Sequence, residues 1–87
     1  MISKTVAFAG EQGFQMDTAS AFVAAMGSFK STVQLCCNGG TYNAKSILNV
    51  IAAYIKNGTK VEVVCSGEDE EEALAEAARL LEGGLFQ

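Results

Sequence analysis

The chain has 87 residues, an apolar fraction of 49% and a formal net charge of −4, which predicts one small folded domain over residues 1–87. Its six Lys and Arg residues are scattered along the sequence, so a direct nucleic-acid interface, which needs a clustered basic face, is not expected. No secretory leader and no apolar run long enough to cross a bilayer is visible, so we expect a cytoplasmic protein without membrane contact.

The chain has three cysteines and no histidine. An odd number of cysteines does not make a disulfide framework, and Cys36 and Cys37 are neighbours whose side chains point to opposite faces of a strand. A zinc site would need all three cysteines plus a carboxylate or water, and the cysteines lack the CxxC spacing that is typical of metal sites. We therefore predict small, reduced, mostly buried cysteines and no metal or other cofactor, with a redox or metal role as the alternative.

The first third of the chain predicts a strand followed by a helix. Residues 2–8 alternate apolar and polar side chains, which is typical of a half-buried strand. Apolar residues then recur at the spacing of an amphipathic helix, with Gly27 near its end; they are Ala19, Phe22, Val23 and Met26. Asp17 or Thr18 is expected to cap the start of this helix.

The middle of the chain predicts two strands, a helix and a further strand. Residues 32–37 form the second strand, and Asn38-Gly39-Gly40 is a turn into a short strand at 41–43. Residues 46–57 are expected to be helical, followed by a strand at 60–65. The apolar face of this second helix comprises Ile47, Val50, Ile51, Tyr54 and Ile55.

The last helix has the clearest boundaries. Asp69 and Glu72 are spaced as in a capping box, and Gly83-Gly84 end the helix. Its buried face comprises Ala73, Leu74, Ala77, Leu80 and Leu81. The resulting order, βαββαβα, predicts an α+β open-faced β-sandwich in which three helices cover one face of a four-stranded antiparallel sheet.

Three segments resemble one known family. Residues 13–19, Gly-Phe-Gln-Met-Asp-Thr-Ala, resemble the Gly-Leu-His-Ala-Arg-Pro-Ala motif of HPr, the histidine-containing phosphocarrier of the bacterial sugar phosphotransferase system. Residues 43–48 are similar to the serine-containing helix start of that family, and residues 66–70 to the start of its final helix. With the matching element order, the resemblance covers nearly the whole chain and implies the HPr fold.

The two reactive positions of the HPr motif are occupied here by Gln15 and Asp17. An amide nitrogen is not comparably nucleophilic to a histidine ring nitrogen, because its lone pair is delocalised into the carbonyl. The Asp17 carboxylate would repel phosphoryl oxygens where the family has a guanidinium. We therefore predict a degenerate phosphocarrier site, and the absence of other catalytic motifs predicts a protein that is not an enzyme.

Ser46 is the remaining candidate for phosphate chemistry. In the Gram-positive branch of the HPr family, the serine at this position is phosphorylated by a bifunctional HPr kinase/phosphorylase. This chain is similar to a histidine-less type, the catabolite-repression HPr-like proteins, whose phosphorylated form binds a transcriptional regulator; that type keeps a basic residue where this chain has Asp17. The resemblance implies regulation at Ser46, and the alternative is that Ser46 only caps the helix.

Two groups of residues are candidates for partner contacts. The loop supplies Phe14, Gln15 and Met16, although packing at the core or its rim is the favoured alternative for Phe14 and Met16. The second helix supplies an apolar patch beside Ser46, which comprises Ile47, Leu48 and Ile51. Phe29, Tyr42 and Tyr54 are expected to be packing residues. Three hypotheses remain: a regulator switched at Ser46, a constitutive protein-binding module, and a drifting paralogue of the phosphocarrier.

Overall fold

A four-stranded antiparallel sheet with three helices makes up the computed structural model, which describes residues 1–84. The elements, in chain order, are β1 (Ile2–Ala7), α1 (Met16–Gly27), β2 (Thr32–Cys37), β3 (Gly40–Asn43), α2 (Ile47–Ala52), β4 (Lys60–Ser66) and α3 (Glu70–Leu81). The predicted fold class, element order and antiparallel sheet are confirmed. The strands are arranged β1-β4-β2-β3, so the two strands that are adjacent at the centre are β4 and β2.

Strand alternation places one apolar face under the helices. In β4, Val61, Val63 and Cys65 are buried, whereas Lys60 and Glu62 are exposed on the other face. Val63 is aligned with Leu35 of β2, which is also fully buried. Because side chains in a strand alternate between faces, this register brings the apolar set of every strand to the same side.

The core lies between this face and the helices. Phe8, Phe22, Met26, Leu35 and Leu81 are its largest fully buried side chains. All three cysteines are free, and burial raises the pKa of the Cys37 and Cys65 thiols, so these two thiols remain protonated at neutral pH. Their role in the described structure is packing, as predicted.

Helix α1 begins earlier than predicted. Its N-cap is Gln15, whose backbone N–H donates to Thr18 Oγ1 at 2.9 Å and whose carbonyl accepts from Ala19 N at 2.8 Å. Asp17 lies inside the first turn, where its Oδ1 accepts from the Thr18 N–H at 2.9 Å. The prediction of Asp17 or Thr18 as the cap was therefore wrong, because both residues stabilise the first turn from within the helix.

Helix α2 is much shorter than the predicted 46–57. It ends at Ala52, and Tyr54 adopts a left-handed backbone conformation with φ +56°. Asn38 Nδ2 donates to the Ala53 carbonyl at 3.0 Å, so a side chain from the β2–β3 turn satisfies a carbonyl group at the helix end. Ile55 is buried as predicted but lies in the following loop, whereas Tyr54 is 70% exposed. The packing prediction was wrong for Tyr54, while Phe29 and Tyr42 do pack against the core.

The predicted capping box of α3 is not formed. Asp69 is the N-cap, but its carboxylate accepts hydrogen bonds from Lys30 N and Ser31 N, each at 2.8 Å, and from the Ser31 hydroxyl. Ser31 is 1% exposed, so these bonds satisfy a buried polar residue. Asp69 therefore connects the start of β2 to the start of α3, instead of satisfying the first turn of its own helix.

This connection predicts a pH-dependent contribution of Asp69 to stability. The hydrogen bond from the Ser31 hydroxyl, with that from Lys30 N–H, lowers the pKa of Asp69 from 3.8 to about 2. Because the folded-state pKa is the lower one, the stabilisation is complete above the unfolded-state pKa and disappears as the pH falls through the folded-state value. Urea unfolding should show a lower midpoint for Asp69→Asn than for the wild type at pH 6, and the difference should narrow below pH 4 and vanish only below pH 2. A difference independent of pH would contradict this role.

Candidate functional site

The loop between β1 and α1 is held against the segment that follows α2. Gly13 is buried with φ +69°, and a Cβ at this position would lie 2.6 Å from the Ile55 carbonyl oxygen. The same oxygen accepts from Phe14 N at 3.3 Å. The Phe14 ring packs between Phe8 and Phe22, with centroid distances of 4.8 and 5.4 Å. The loop that resembles the reactive loop of HPr is therefore ordered by the core on one side and by residue 55 on the other.

Gln15 and Asp17 face solvent at the start of α1. Gln15 Nε2 donates to Gln12 Oε1 at 2.8 Å, and both Gln15 and Asp17 line an open cavity of about 740 Å³ together with Glu11 and Asn57. The polar side chains that line this cavity offer amides, carboxylates and the Thr18 hydroxyl, but no basic group. They have neither a histidine ring nitrogen to accept a phosphoryl group nor a cation to stabilise phosphoryl oxygens.

Ser46 is the N-cap of α2, as its position at the predicted helix start suggested. Its Oγ accepts from Asn49 N at 3.4 Å and from Asn49 Nδ2 at 3.2 Å. Asn49 Oδ1 in turn accepts from Asn43 N at 3.2 Å, which anchors the helix start to β3. Ser46 is half-buried, and its oxygen is the acceptor in both bonds. Ser46 therefore caps the helix, and its hydroxyl proton takes part in neither of these two bonds.

Exposed apolar side chains lie on α2 and at the start of α1. Leu48 is 79% exposed, Met16 67% and Ile51 38%. Of the other predicted contact residues, Ile47 and Phe14 are partly buried and pack against the core, and Gln15 is exposed. Of the predicted contact residues, Leu48, Met16 and Ile51 therefore present apolar side chains that are open to a partner.

A groove joins the loop to the end of α2. It has a volume of about 480 Å³, and its lining includes Phe14, Ile51, Tyr54, Ile55 and Lys56. Tyr54 is the residue that sequence reasoning missed, because the helical spacing placed it on a buried face. The loop between β1 and α1 and the apolar surface beside Ser46 are therefore neighbouring parts of one region.

Neither a metal cluster nor a membrane span occurs in the described part of the chain. Within residues 1–84, His, Cys, Asp and Glu side chains do not form a group of three that would hold a metal ion. Over the same residues, no helix has the length and apolar character needed to cross a membrane.

Comparison with known sequences identifies close relatives. The family model PTS-HPr, described as "PTS HPr component phosphorylation site", matches residues 2–83. The HPr-like protein Crh of Bacillus subtilis is 36% identical over 78 residues, which are 90% of this chain and 92% of that protein. The phosphocarrier protein HPr of Treponema pallidum is 34% identical over 82 residues, covering 94% of this chain and 93% of that protein.

Solved structures show the same fold. HPr-C-His from Thermoanaerobacter tengcongensis superposes with a TM-score of 0.92 at 26% identity, covering 100% of this chain and 98% of that one. HPr from Bacillus anthracis gives 0.89 at 30% identity, with 93% and 96% covered. Crystalline Crh from Bacillus subtilis gives 0.77 at 33% identity over 100% of both chains. In fold, in sequence and in the position of its altered reactive loop, this chain belongs to the HPr family.

Proposed function

We propose that this HPr-family protein is a regulatory or adaptor protein that acts through protein contacts and does not transfer phosphate. The observation that supports this most strongly is the pair Gln15 and Asp17 at the start of α1, where the family motif has a nucleophile and a cation. Glu11 adds a second carboxylate to the same cavity. An approaching phosphoryl group would meet negative charge and no histidine ring nitrogen, while the scaffold around the site is intact.

We further propose that the protein is switched by phosphorylation of Ser46. The serine lies at the start of α2, two residues from the exposed Leu48. A phosphate adds about −1.5 to −2 charges and three strong acceptor oxygens at this point. It would change both the charge and the hydrogen bonding of a surface that otherwise presents apolar side chains. The implied partners are an HPr kinase/phosphorylase and, for the modified form, a transcriptional regulator in the cytoplasm.

Incubation with an HPr kinase and ATP tests the Ser46 switch. Intact mass analysis should show one added phosphate on the wild type and none on Ser46→Ala. Ser20→Ala is the matched control, because Ser20 is an exposed serine within α1 and should leave the modification unchanged. A wild type without phosphate, or a Ser46→Ala variant that still accepts one, would contradict the proposal.

A constitutive binding module is the second candidate, and the exposure of Leu48 favours it. Leu48 is 79% exposed in the unmodified protein, so its apolar surface is accessible without any phosphate. Under this alternative, partners captured by unmodified protein should be lost on Leu48→Asp and retained on Ala75→Asp, which adds the same charge at an exposed position of α3. Equal capture by both variants would contradict the role of Leu48, and capture of nothing by unmodified or phosphorylated protein would favour a drifting paralogue.

A further inference from the structure

Tyr54 combines exposure with a backbone conformation that tyrosine rarely adopts. Its side chain is 70% exposed, and its φ of +56° lies in the left-handed region. This conformation costs a residue with a Cβ roughly 1–2 kcal/mol, which a glycine would not incur. Burial offsets little of that cost, because the residue as a whole is mostly exposed. The exposed aromatic group therefore needs an explanation other than folding stability.

The surrounding residues hold the Tyr54 backbone in place. Asn38 Nδ2 donates to the Ala53 carbonyl at 3.0 Å and to the Tyr54 carbonyl at 3.4 Å, and Tyr54 N donates to Ile51 O at 3.2 Å. Strained residues that neighbours hold in this way cluster at binding and catalytic sites. The ring lines the 480 Å³ groove whose wall also includes Phe14 and Ile51. The conformation therefore displays an aromatic side chain at the edge of a partly apolar groove.

A cation lies on the same side of the groove. Lys56 Nζ is 4.7 Å from the centroid of the Tyr54 ring, within the range of a cation–π contact. The Lys56 N–H donates to Thr59 Oγ1 at 3.0 Å, which fixes the backbone that presents this side chain. Tyr54 and Lys56 together offer an aromatic surface beside a positive charge, a combination that suits an apolar group next to an anion.

Lys56 is the lysine that would attract an anionic partner to the groove. Although the net charge is −4, residues 18–61 contain four lysines and neither Asp nor Glu. The acidic residues concentrate instead around the start of α3, where Glu70, Glu71 and Glu72 form the first turn. Glu11 is the carboxylate among the groove-lining residues, so it would oppose an anionic partner at that edge. Of these four lysines, Lys56 lines the groove, whereas Lys30 pairs with Glu68 at 2.9 Å and Lys60 lies on the open face of the sheet.

We propose that Tyr54 is a contact residue of the partner surface, and that the segment it binds places an apolar side chain in the groove and a carboxylate beside Lys56. This inference rests on the proposed function in one respect, namely that the surface binds a protein. It adds the chemistry of the partner, an acidic and apolar peptide segment, and the residues that select it. Complementary charge gives specificity at such an edge, while the aromatic side chain supplies contact area.

Titration of isotope-labelled protein with synthetic peptides tests the proposal. One panel of hexapeptides has two Leu or Phe residues among four Glu or Asp residues, and the other has Lys or Arg in place of the acidic residues. The acidic panel should shift the amide signals of Phe14, Ile51, Tyr54 and Lys56, whereas the basic panel should leave them unchanged despite the negative net charge. No shift at these amides with the acidic panel, or equal shifts with both panels, would overturn the proposal.

Variants assign the effect to individual groups. Tyr54→Gly should weaken acidic-peptide binding about tenfold and raise the Tm by roughly 4 °C, since it releases the backbone strain. Lys56→Gln should weaken binding about threefold and Glu11→Gln should strengthen it about twofold. Lys60→Gln is the matched control, because Lys60 is exposed on the open face of the sheet. Unchanged binding by Tyr54→Gly, or equal effects of the two lysine variants, would contradict the assignment.

The result is independent of phosphorylation. The titration uses unmodified protein, so its outcome does not depend on a phosphate at Ser46. A failed titration together with phosphorylation of Ser46 would overturn the partner chemistry and leave the proposed switch standing. Peptide binding together with a Ser46 that the kinase leaves unmodified would overturn the proposed switch and leave the partner chemistry standing.

Discussion

Replacement of Gly13 with alanine is expected to lower the free energy of unfolding by about 3 kcal/mol. Part of this loss comes from the φ of +69°, which disfavours a residue with a Cβ. The larger part is steric, because the new methyl group would lie 2.6 Å from the Ile55 carbonyl oxygen. Moving that oxygen also weakens its bond from Phe14 N. For a domain of this size, stable by on the order of 5 kcal/mol, the loss is more than half of the total.

Two other glycines separate the causes of this effect. Gly58 has φ +87° with open space where an added methyl group would lie, so Gly58→Ala should cost only about 1 kcal/mol. Gly27 ends α1 with nothing within 4 Å of an added Cβ, and Gly27→Ala should stabilise the protein by about 0.5 kcal/mol. Urea unfolding of the three variants measures these differences. A cost for Gly13→Ala no greater than that for Gly58→Ala would show that the contact with residue 55 is unimportant.

Gly13→Ala should also affect the groove. The glycine lets the loop approach the segment after α2, and both segments line the groove beside Tyr54. A displaced loop would widen the groove, so this variant should also lose affinity for the acidic peptides under conditions where it remains folded. The same backbone contact therefore serves the stability of the domain and the shape of its partner surface.

The sheet and the last helix were predictable because their patterns are local. In β4, three buried positions alternate with exposed ones, and α3 repeats its buried residues at helical spacing between charged groups. The spacing of apolar residues shows which face of an element packs against the core, and about ten residues of sequence are enough to detect it. The predicted bounds of β2 were confirmed, and those of β4 differ by one residue.

The errors at the start of α3 and at the end of α2 arose from long-range hydrogen bonds. Asp69 has the sequence context of a helix cap, yet its carboxylate binds Lys30 and Ser31, nearly forty residues away. The apolar spacing of α2 continues in the sequence beyond Ala52, yet the helix ends there. The Asn38 side chain, from the β2–β3 turn, donates a hydrogen bond to the Ala53 carbonyl. A polar side chain can form a hydrogen bond with a partner that is near or distant in the sequence. Residue spacing indicates only the near partners.

The residues of the candidate site could be selected from the motif, whereas its geometry could be anticipated only in part. Gln15 and Asp17 could be assigned from the motif, because the resemblance aligns them with the reactive positions. The groove could not be anticipated, because it depends on the approach of Gly13 to Ile55 across more than forty residues. Tyr54 was misplaced for the same reason that α2 was drawn too long, since an unbroken helix would have turned its ring towards the core.

The second large effect is the complete absence of phosphate transfer to residue 15. A phosphocarrier forms a bond between phosphorus and a side-chain nucleophile, and the Gln15 amide does not supply one. The Asp17 and Glu11 carboxylates border the same cavity and disfavour an anionic donor. We expect no phosphate on this protein from phosphoenolpyruvate, whatever the concentration of the transfer proteins.

The measurement that tests this directly is phosphate incorporation from phosphoenolpyruvate in a reconstituted sugar phosphotransferase system, followed by intact mass analysis under non-acidic conditions. A histidine-containing HPr in the same reaction is the positive control and should gain one phosphate. This chain should keep its unmodified mass, in agreement with a family member that works through its surface. A stoichiometric phosphate on this chain would contradict that account.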